Sequence, residues 1–227
     1  MFNFSENPSV LAPMAGVTDW AYRCIAAQLG ADITVQSATK FLAGHADLLA
    51  GVAATNDPDL AILLHRGQLV SGALLPPIDS YRLLQDVKTL ALRLERQQQN
   101  ARELIEFLSE RPEVEKIFYA GSSSEEQAEV QSRQARGIGS VFSLLLKDGG
   151  DAQAFARALP IFVNAVSLGG IESLVSLPAH TTHGAYAQEH RDEFGVDDRL
   201  VRLAIGIEDV QDLIAALEIG LKAAFAG

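Results

Sequence analysis

The clearest hydrophobic periodicity in the chain runs from Ile78 to about Glu110. Leu83, Val87, Leu90, Leu94, Ala101, Ile105 and Leu108 recur there at spacings of three, four or seven. Such spacing gathers apolar side chains on one helix face and leaves Arg82, Lys88, Arg96 and Arg102 largely off it. Asp79 or Ser80 can cap the start, and Pro112 closes the end. A run of this length is expected to bend or break once, and to connect two domains.

Shorter stretches alternate on either side of it. Val10-Leu11-Ala12 reads as a strand, followed by a Pro/Gly loop and a helix from Thr18 or Asp19 to Leu29 that Gly30 stops. Ile33-Thr34-Val35-Gln36 is rich in β-formers. Residues 48–55 read as a buried strand ended by Asn56-Asp57-Pro58, and residues 58–65 as a short helix with proline at its first position. Gly67, Gly72, Pro76 and Pro77 mark an irregular loop. Beyond the long helical run, residues 114–119, 140–146, 162–167 and 200–205 read as strands, and 124–135 and 152–159 as helices. Val210, Leu213, Ile214, Leu217, Leu221 and Phe225 mark an amphipathic C-terminal helix. Strands mixed with helices in this way predict an α/β or α+β class.

Composition narrows the function. Hydrophobic residues make up 48% of the 227 and charged residues 21%, ordinary values for a globular chain with a core. A net charge of −11 argues against nucleic acid or an acidic membrane as partner. The single Cys24 permits no internal disulfide, which fits a reducing, cytoplasmic setting. No apolar run reaches membrane-spanning length, and the start lacks the basic-then-apolar order of a signal peptide.

The chemistry concentrates in Ser37-Ala38-Thr39-Lys40, with Gly44-His45 just after it. A strand ending in hydroxyls and free backbone N–H groups suits a phosphate. A lysine beside that phosphate, at the edge of an apolar core, can lose its proton and attack a carbonyl carbon. Together these supply what pyridoxal phosphate needs, a phosphate anchor and an amine for a Schiff base. His180, His183 and His190 invite a metal reading, but no carboxylate or cysteine completes a ligand set, so no metal is expected. Asp197-Asp198 and Glu125-Glu126 read most simply as solvated charge.

Five motifs in order carry a family resemblance: Ser37-Ala38-Thr39-Lys40 with Gly44-His45; Lys88-Thr89-Leu90-Ala91-Leu92-Arg93; Ser167-Leu168-Gly169-Gly170-Ile171-Glu172-Ser173-Leu174; Thr182-His183; and residues 200–209, Leu-Val-Arg-Leu-Ala-Ile-Gly-Ile-Glu-Asp. From Gly30 to Phe225 the chain resembles the Cys/Met-metabolism enzymes dependent on pyridoxal phosphate: cystathionine γ-synthase, cystathionine β- and γ-lyases and methionine γ-lyase. The resemblance implies the C-terminal part of a fold-type-I transferase. Residues 33–111 would be the remnant of its large domain with a long connecting helix, and residues 112–227 its small α+β domain. It implies pyridoxal 5′-phosphate held covalently by Lys40, with Ser37 and Thr39 on its phosphate. Arg202 matches the arginine that grips the substrate α-carboxylate, and Ser167 a residue near that carboxylate. Read from the residues alone, Arg202 could pair with Asp198 or Glu208, and Ser167-Gly169-Gly170 could be only a tight turn.

The resemblance is incomplete. The family places well over a hundred residues before the lysine strand, whereas 39 precede Lys40 here. It also sets an aspartate against the pyridine nitrogen about two dozen residues before the lysine; here Pro13-Met14-Ala15-Gly16-Val17 holds no carboxylate, and Asp19 is off register. Residues 1–32 would be an atypical N-terminal βα segment, and residues 9–32 within it separately resemble the start of dihydrouridine synthases through Leu11-Ala12-Pro13-Met14-Ala15-Gly16-Val17-Thr18-Asp19.

The expected function is transsulfuration-type β- or γ-elimination or γ-replacement on cystathionine, O-acylhomoserine or a related sulfur amino acid. The chain would work as a homo-oligomer or with a partner chain supplying the missing N-terminal half. The alternatives are an inactive family remnant, one half of a split enzyme, or, less favoured by the acidic charge, a fragment of an FMN-dependent tRNA-dihydrouridine synthase.

Overall fold

A computed structural model describes Val10–Leu11, residues 32–120, Ser122 and residues 124–226. It divides into two compact units. One runs to Thr89 and includes Arg133–Arg136; the other comprises Leu90–Ser132 and Gly137–Gly227. The division falls at Thr89–Leu90, whereas motif order sets the start of the C-terminal domain at 112. The helix read to Leu29, its Gly30 stop, Cys24 and most of the flavin-enzyme-like segment lie outside the described residues.

In the first unit β1 (Val10–Leu11) pairs parallel with β2 (Ile33–Ser37), and β2 pairs antiparallel with β3 (Gly51–Ala54). The buried strand expected over 48–55 is corrected here: β3 has four residues, all exposed. It is an edge strand with one neighbour, and Gly51, Ala53 and Ala54 bring little side chain to bury.

Helix α1 (Pro58–Ser71) starts with proline at its first turn, and Asp57 accepts hydrogen bonds from the N–H groups of Asp59 (2.8 Å) and Leu60 (3.1 Å). It runs through Gly67, beyond the short helix and loop expected. One interior glycine costs a helix only about 1 kcal/mol, and the stop comes at Gly72, left-handed at φ 71°.

The long helical pattern does break once, into α2 (Pro77–Val87) and α3 (Leu90–Ser109). At the break the N–H groups of Lys88 and Thr89 bond three residues back, to Gln85 O and Asp86 O, each at 3.1 Å. The Thr89 hydroxyl also donates to Asp86 O at 3.1 Å, competing for the carbonyl that a continuing helix would use.

The second unit is a five-stranded sheet in the order β4-β5-β8-β7-β6, with β4 at Val114–Phe118, β5 at Val141–Leu146, β6 at Val163–Asn164, β7 at Leu174–Ser176 and β8 at Leu200–Ala204. All pairings are antiparallel except β6 with β7. The strand expected over 162–167 shrinks to the two residues of β6, and β7 was not read from the sequence at all. Period-two alternation sends Phe142, Leu144 and Leu146 of β5, with Val201 and Leu203 of β8, to one face. There they form one core with Leu104 and Leu108 of α3, Phe155 of α5 (Ala152–Ala158) and Leu213 and Leu217 of α7 (Val210–Ala224). A polar helix α4 (Glu125–Gln134), apart from its last two residues, and a short α6 (Gln188–Glu193) complete the unit.

Helices α5 and α7 meet at Gly220, where an added Cβ would stand 2.7 Å from Leu159 Cδ2 and 3.1 Å from the fully buried Phe155 ring. Gly220→Val should therefore destabilise the protein by about 1–3 kcal/mol through overpacking, read as a lower urea midpoint at unchanged slope. An unchanged midpoint would contradict this close approach.

Candidate functional site

Lys40 sits in a single π-helical turn, Ala38–Leu42, that leaves the end of β2. The Ala43 N–H donates to Ala38 O at 2.9 Å, and Ala38 and Ala43 are both fully buried, which pins the turn to the unit's interior. Lys40 departs from helical dihedrals inside the turn (φ −90°, ψ −124°), and its carbonyl accepts from the Gly44 N–H at 2.8 Å. Isolated π turns of this kind are frequent at functional sites. His45, half-exposed, pairs with Asp86 Oδ1 of α2 at 2.9 Å and so holds the segment after the turn in place.

The hydroxyls on either side of Ala38 differ. Ser37, at the strand end, makes no capping hydrogen bond. Thr39 Oγ1 accepts from the Ala50 N–H at 3.0 Å and donates to Ala50 O at 3.3 Å. The backbone N–H groups expected to be free are not: those of Ala38 (2.8 Å) and Thr39 (3.2 Å) both donate to Ala50 O. That carbonyl thus receives three donors against two lone pairs. The Thr39 proton can turn to an anion without leaving Ala50 O unsatisfied, while the hydroxyl oxygen keeps its bond from the Ala50 N–H. One uncommitted hydroxyl, one that can be redirected and a lysine within four residues fit a phosphate-bearing aldehyde cofactor.

Arg202 lies at the centre of β8, between β5 and β7, in register with Ser143 and Ser176. Alternation turns it to the face opposite Val201 and Leu203, away from the core, where it is half-buried. Its two bland partners are both occupied. Asp198 Oδ1 takes Arg191 Nη1 at 2.7 Å, and the Glu208 carboxylate takes the Ser173 N–H at 2.5 Å and its hydroxyl at 2.9 Å. Among the described residues Arg202 has no ion pair, and burial alone pulls its guanidinium below the ordinary arginine value. A cation partly removed from water with no counter-charge is an unfavourable arrangement that a bound anion would relieve.

The Asp197-Asp198 pair, read as solvated charge, is corrected likewise. Asp197 Oδ2 takes Arg199 Nη2 at 2.8 Å, and these hydrogen bonds hold the Asp197 carboxyl below the usual carboxylate range.

Ser167, half-buried, opens the turn that reaches β7, and within it Gly169 is left-handed at φ 81°. Ser37, Thr39 and Lys40 thus fall within one stretch of the first unit, while Ser167 and Arg202 belong to the second. His180 approaches Gln153 at 3.3 Å, and His183 bonds the Thr182 hydroxyl at 2.9 Å.

Four residues around the second group received no site role from the sequence: Gln97 and Asn100, which it did not single out, and Ser173 and Glu208, which lie inside the motifs. A signal existed for two of them. The apolar stripe of α3 skips from Leu94 to Ala101, and Gln97 and Asn100, both fully buried, fill that gap.

Comparison with known proteins agrees with this chemistry. A family model described as Cys/Met metabolism PLP-dependent enzyme matches residues 20–222, beginning ahead of Gly30, where the resemblance was first read. The chloroplastic cystathionine beta-lyase of Arabidopsis thaliana is 41% identical over 195 residues, covering 86% of this chain and 42% of that protein. The L-methionine gamma-lyase of Pseudomonas deceptionensis is 44% identical over 199 residues, covering 86% of this chain and 50% of that protein. The crystal structure of cystathionine gamma-lyase from Lactobacillus plantarum superposes with a TM-score of 0.81 at 36% identity, over 87% of this chain and 52% of that one. The chain thus spans about half the length of the curated relatives it matches. On the family match and the lysine turn together, it belongs to the Cys/Met metabolism family of PLP-dependent enzymes.

Proposed function

We propose that this chain carries the lysine and carboxylate-binding parts of a transsulfuration-type enzyme. It acts on cystathionine, an O-acylhomoserine or a related sulfur amino acid by β- or γ-elimination or γ-replacement. The observation that carries this reading is Arg202, a half-buried guanidinium without a counter-charge among the described residues. Its planar fork matches an α-carboxylate through two parallel hydrogen bonds. The relatives named above, lyases of cystathionine and methionine, support the substrate class.

Bound pyridoxal phosphate supplies an electron-withdrawing ring that stabilises negative charge at a substrate carbon. This chain's own residues do the rest. Ser37 and Thr39 would hold the phosphate by their hydroxyls, and Lys40 Nζ would be the amine that anchors the cofactor and, once the substrate amine has displaced it, would move protons at the substrate carbons. Arg202 fixes the carboxylate, Ser167 lies beside it, and the fixed carboxylate orients the bond that breaks. The working form is proposed as an oligomer, of further copies or with a partner chain. Residues 33–111 are proposed as the large-domain remnant and 112–227 as the small domain.

No helix among the described residues is long and apolar enough to cross a membrane. A single cysteine in the whole sequence fits a reducing compartment such as the cytoplasm.

Adding pyridoxal phosphate should produce a visible absorbance band, and borohydride followed by peptide mapping should fix the label on Lys40; Lys40→Ala should lose both. Label scattered over other lysines would favour the non-catalytic remnant instead.

Arg202→Met tests the counter-charge argument separately. Removing a half-buried unpaired cation should leave stability unchanged or raise it by about 1 kcal/mol, while binding of α-amino acids is lost. A fall in the thermal midpoint would mean that Arg202 is already paired.

A further inference from the structure

A knot of hydrogen bonds joins the two segments that carry Ser167 and Arg202. Ser173 stands six residues after Ser167, at the entrance to β7, and is fully buried. Its hydroxyl accepts from the Gly206 N–H at 2.9 Å and donates to Glu208 Oε2 at 2.9 Å, while its own N–H donates to Glu208 Oε1 at 2.5 Å. Gly206 and Glu208 follow β8 directly, only four and six residues after Arg202. The Ile207 N–H closes the same pair of segments through Ile171 O at 2.9 Å. Helix α3 clamps both: Gln97 Nε2 donates to Gly170 O at 2.5 Å, and Asn100 Nδ2 donates to the carbonyls of Gly206 (3.2 Å) and Glu208 (2.9 Å). The segments approach so closely that a Cβ on Gly206 would collide with Ile171 O.

A stable core does not require this. Replacing buried polar groups with well-packed apolar ones is often neutral or stabilising, so an ionisable Glu208 here calls for a reason beyond stability. The bonds fix the distance between the turn opened by Ser167 and the end of the strand that holds Arg202. We propose that Ser173 and Glu208 are positioning residues for substrate carboxylate: they lock the Ser167 turn against the end of β8, so that Arg202 and Ser167 meet one carboxylate in a fixed geometry. This rests on the reading of Arg202 as the carboxylate receptor. Neither residue touches the reacting atoms.

The test measures binding of L-alanine to the full chain with pyridoxal phosphate present. Ethylamine, its decarboxylated counterpart, serves as control, and thermal midpoints are recorded alongside. Glu208→Gln removes the charge and turns a donor toward Ser173; Ser173→Ala keeps the charge and removes the hydroxyl link. If one variant fails to fold, the other is read. The proposal predicts that each weakens L-alanine binding roughly tenfold or more, whereas ethylamine binding does not change. L-Alanine affinity unchanged in both, with only the thermal midpoint lowered, would show a merely structural knot and overturn it. Weakening by Glu208→Gln alone would show a charge effect and overturn it too. If wild type and Arg202→Met bind L-alanine equally, or neither binds it, the carboxylate reading itself fails and this inference falls with it.

Discussion

The second unit depends on the pairing of β8 between β5 and β7. Because successive side chains on a strand point to opposite faces, one register decides two things at once. It sends Val201 and Leu203, both fully buried, into the core shared with α3, α5 and α7, and it sends Arg202 to the other face. A slip by one residue would drive the guanidinium into that core, at a cost of several kcal/mol for an unpaired buried charge. The hydrophobic core therefore guards the orientation of the residue proposed to hold substrate. Stability and function meet in one strand.

The first unit follows a different logic. Its described helix α1 buries no residue, and Leu63, Leu69 and Val70 stand exposed on it, Val70 at 90%. A helix with apolar residues on several faces is normally a buried one. Yet the turn around Lys40 is held by specific contacts: the buried Ala38 and Ala43, the bonds from Thr39 to Ala50, and the His45–Asp86 pair. The lysine turn is thus locally built even though the unit around it presents much apolar surface.

Much of the second unit was legible in the sequence because its elements are periodic. The apolar run of 140–146 and the stripe of 210–225 each pointed to one structure, and the single break in the long helical run was expected from its length. Legibility failed where periodicity is short or interrupted. β7 has three residues and β6 two, too few for a pattern. The strand 48–55 looked apolar but lies at an edge, where composition says nothing about burial. Free N–H groups at the lysine turn could not be read either, since the acceptor that takes them, Ala50 O, lies ten or more residues away in sequence and reaches them only in the fold. The site residues Ser37, Thr39, Lys40, Ser167 and Arg202 came from motif order. The Ser173–Glu208 bonds could not be read, because the two residues lie in different motifs 35 residues apart and meet only in the fold.

What joins these observations is the claim that β8 presents an arginine without a counter-charge so that a substrate carboxylate can supply one. A crystal structure of the protein with pyridoxal phosphate and a bound α-amino acid tests that most directly. The account predicts the α-carboxylate forked on the Arg202 guanidinium through two hydrogen bonds, with β8 in its present register. A structure in which Arg202 pairs with a protein carboxylate, and the ligand carboxylate lies elsewhere, would contradict it.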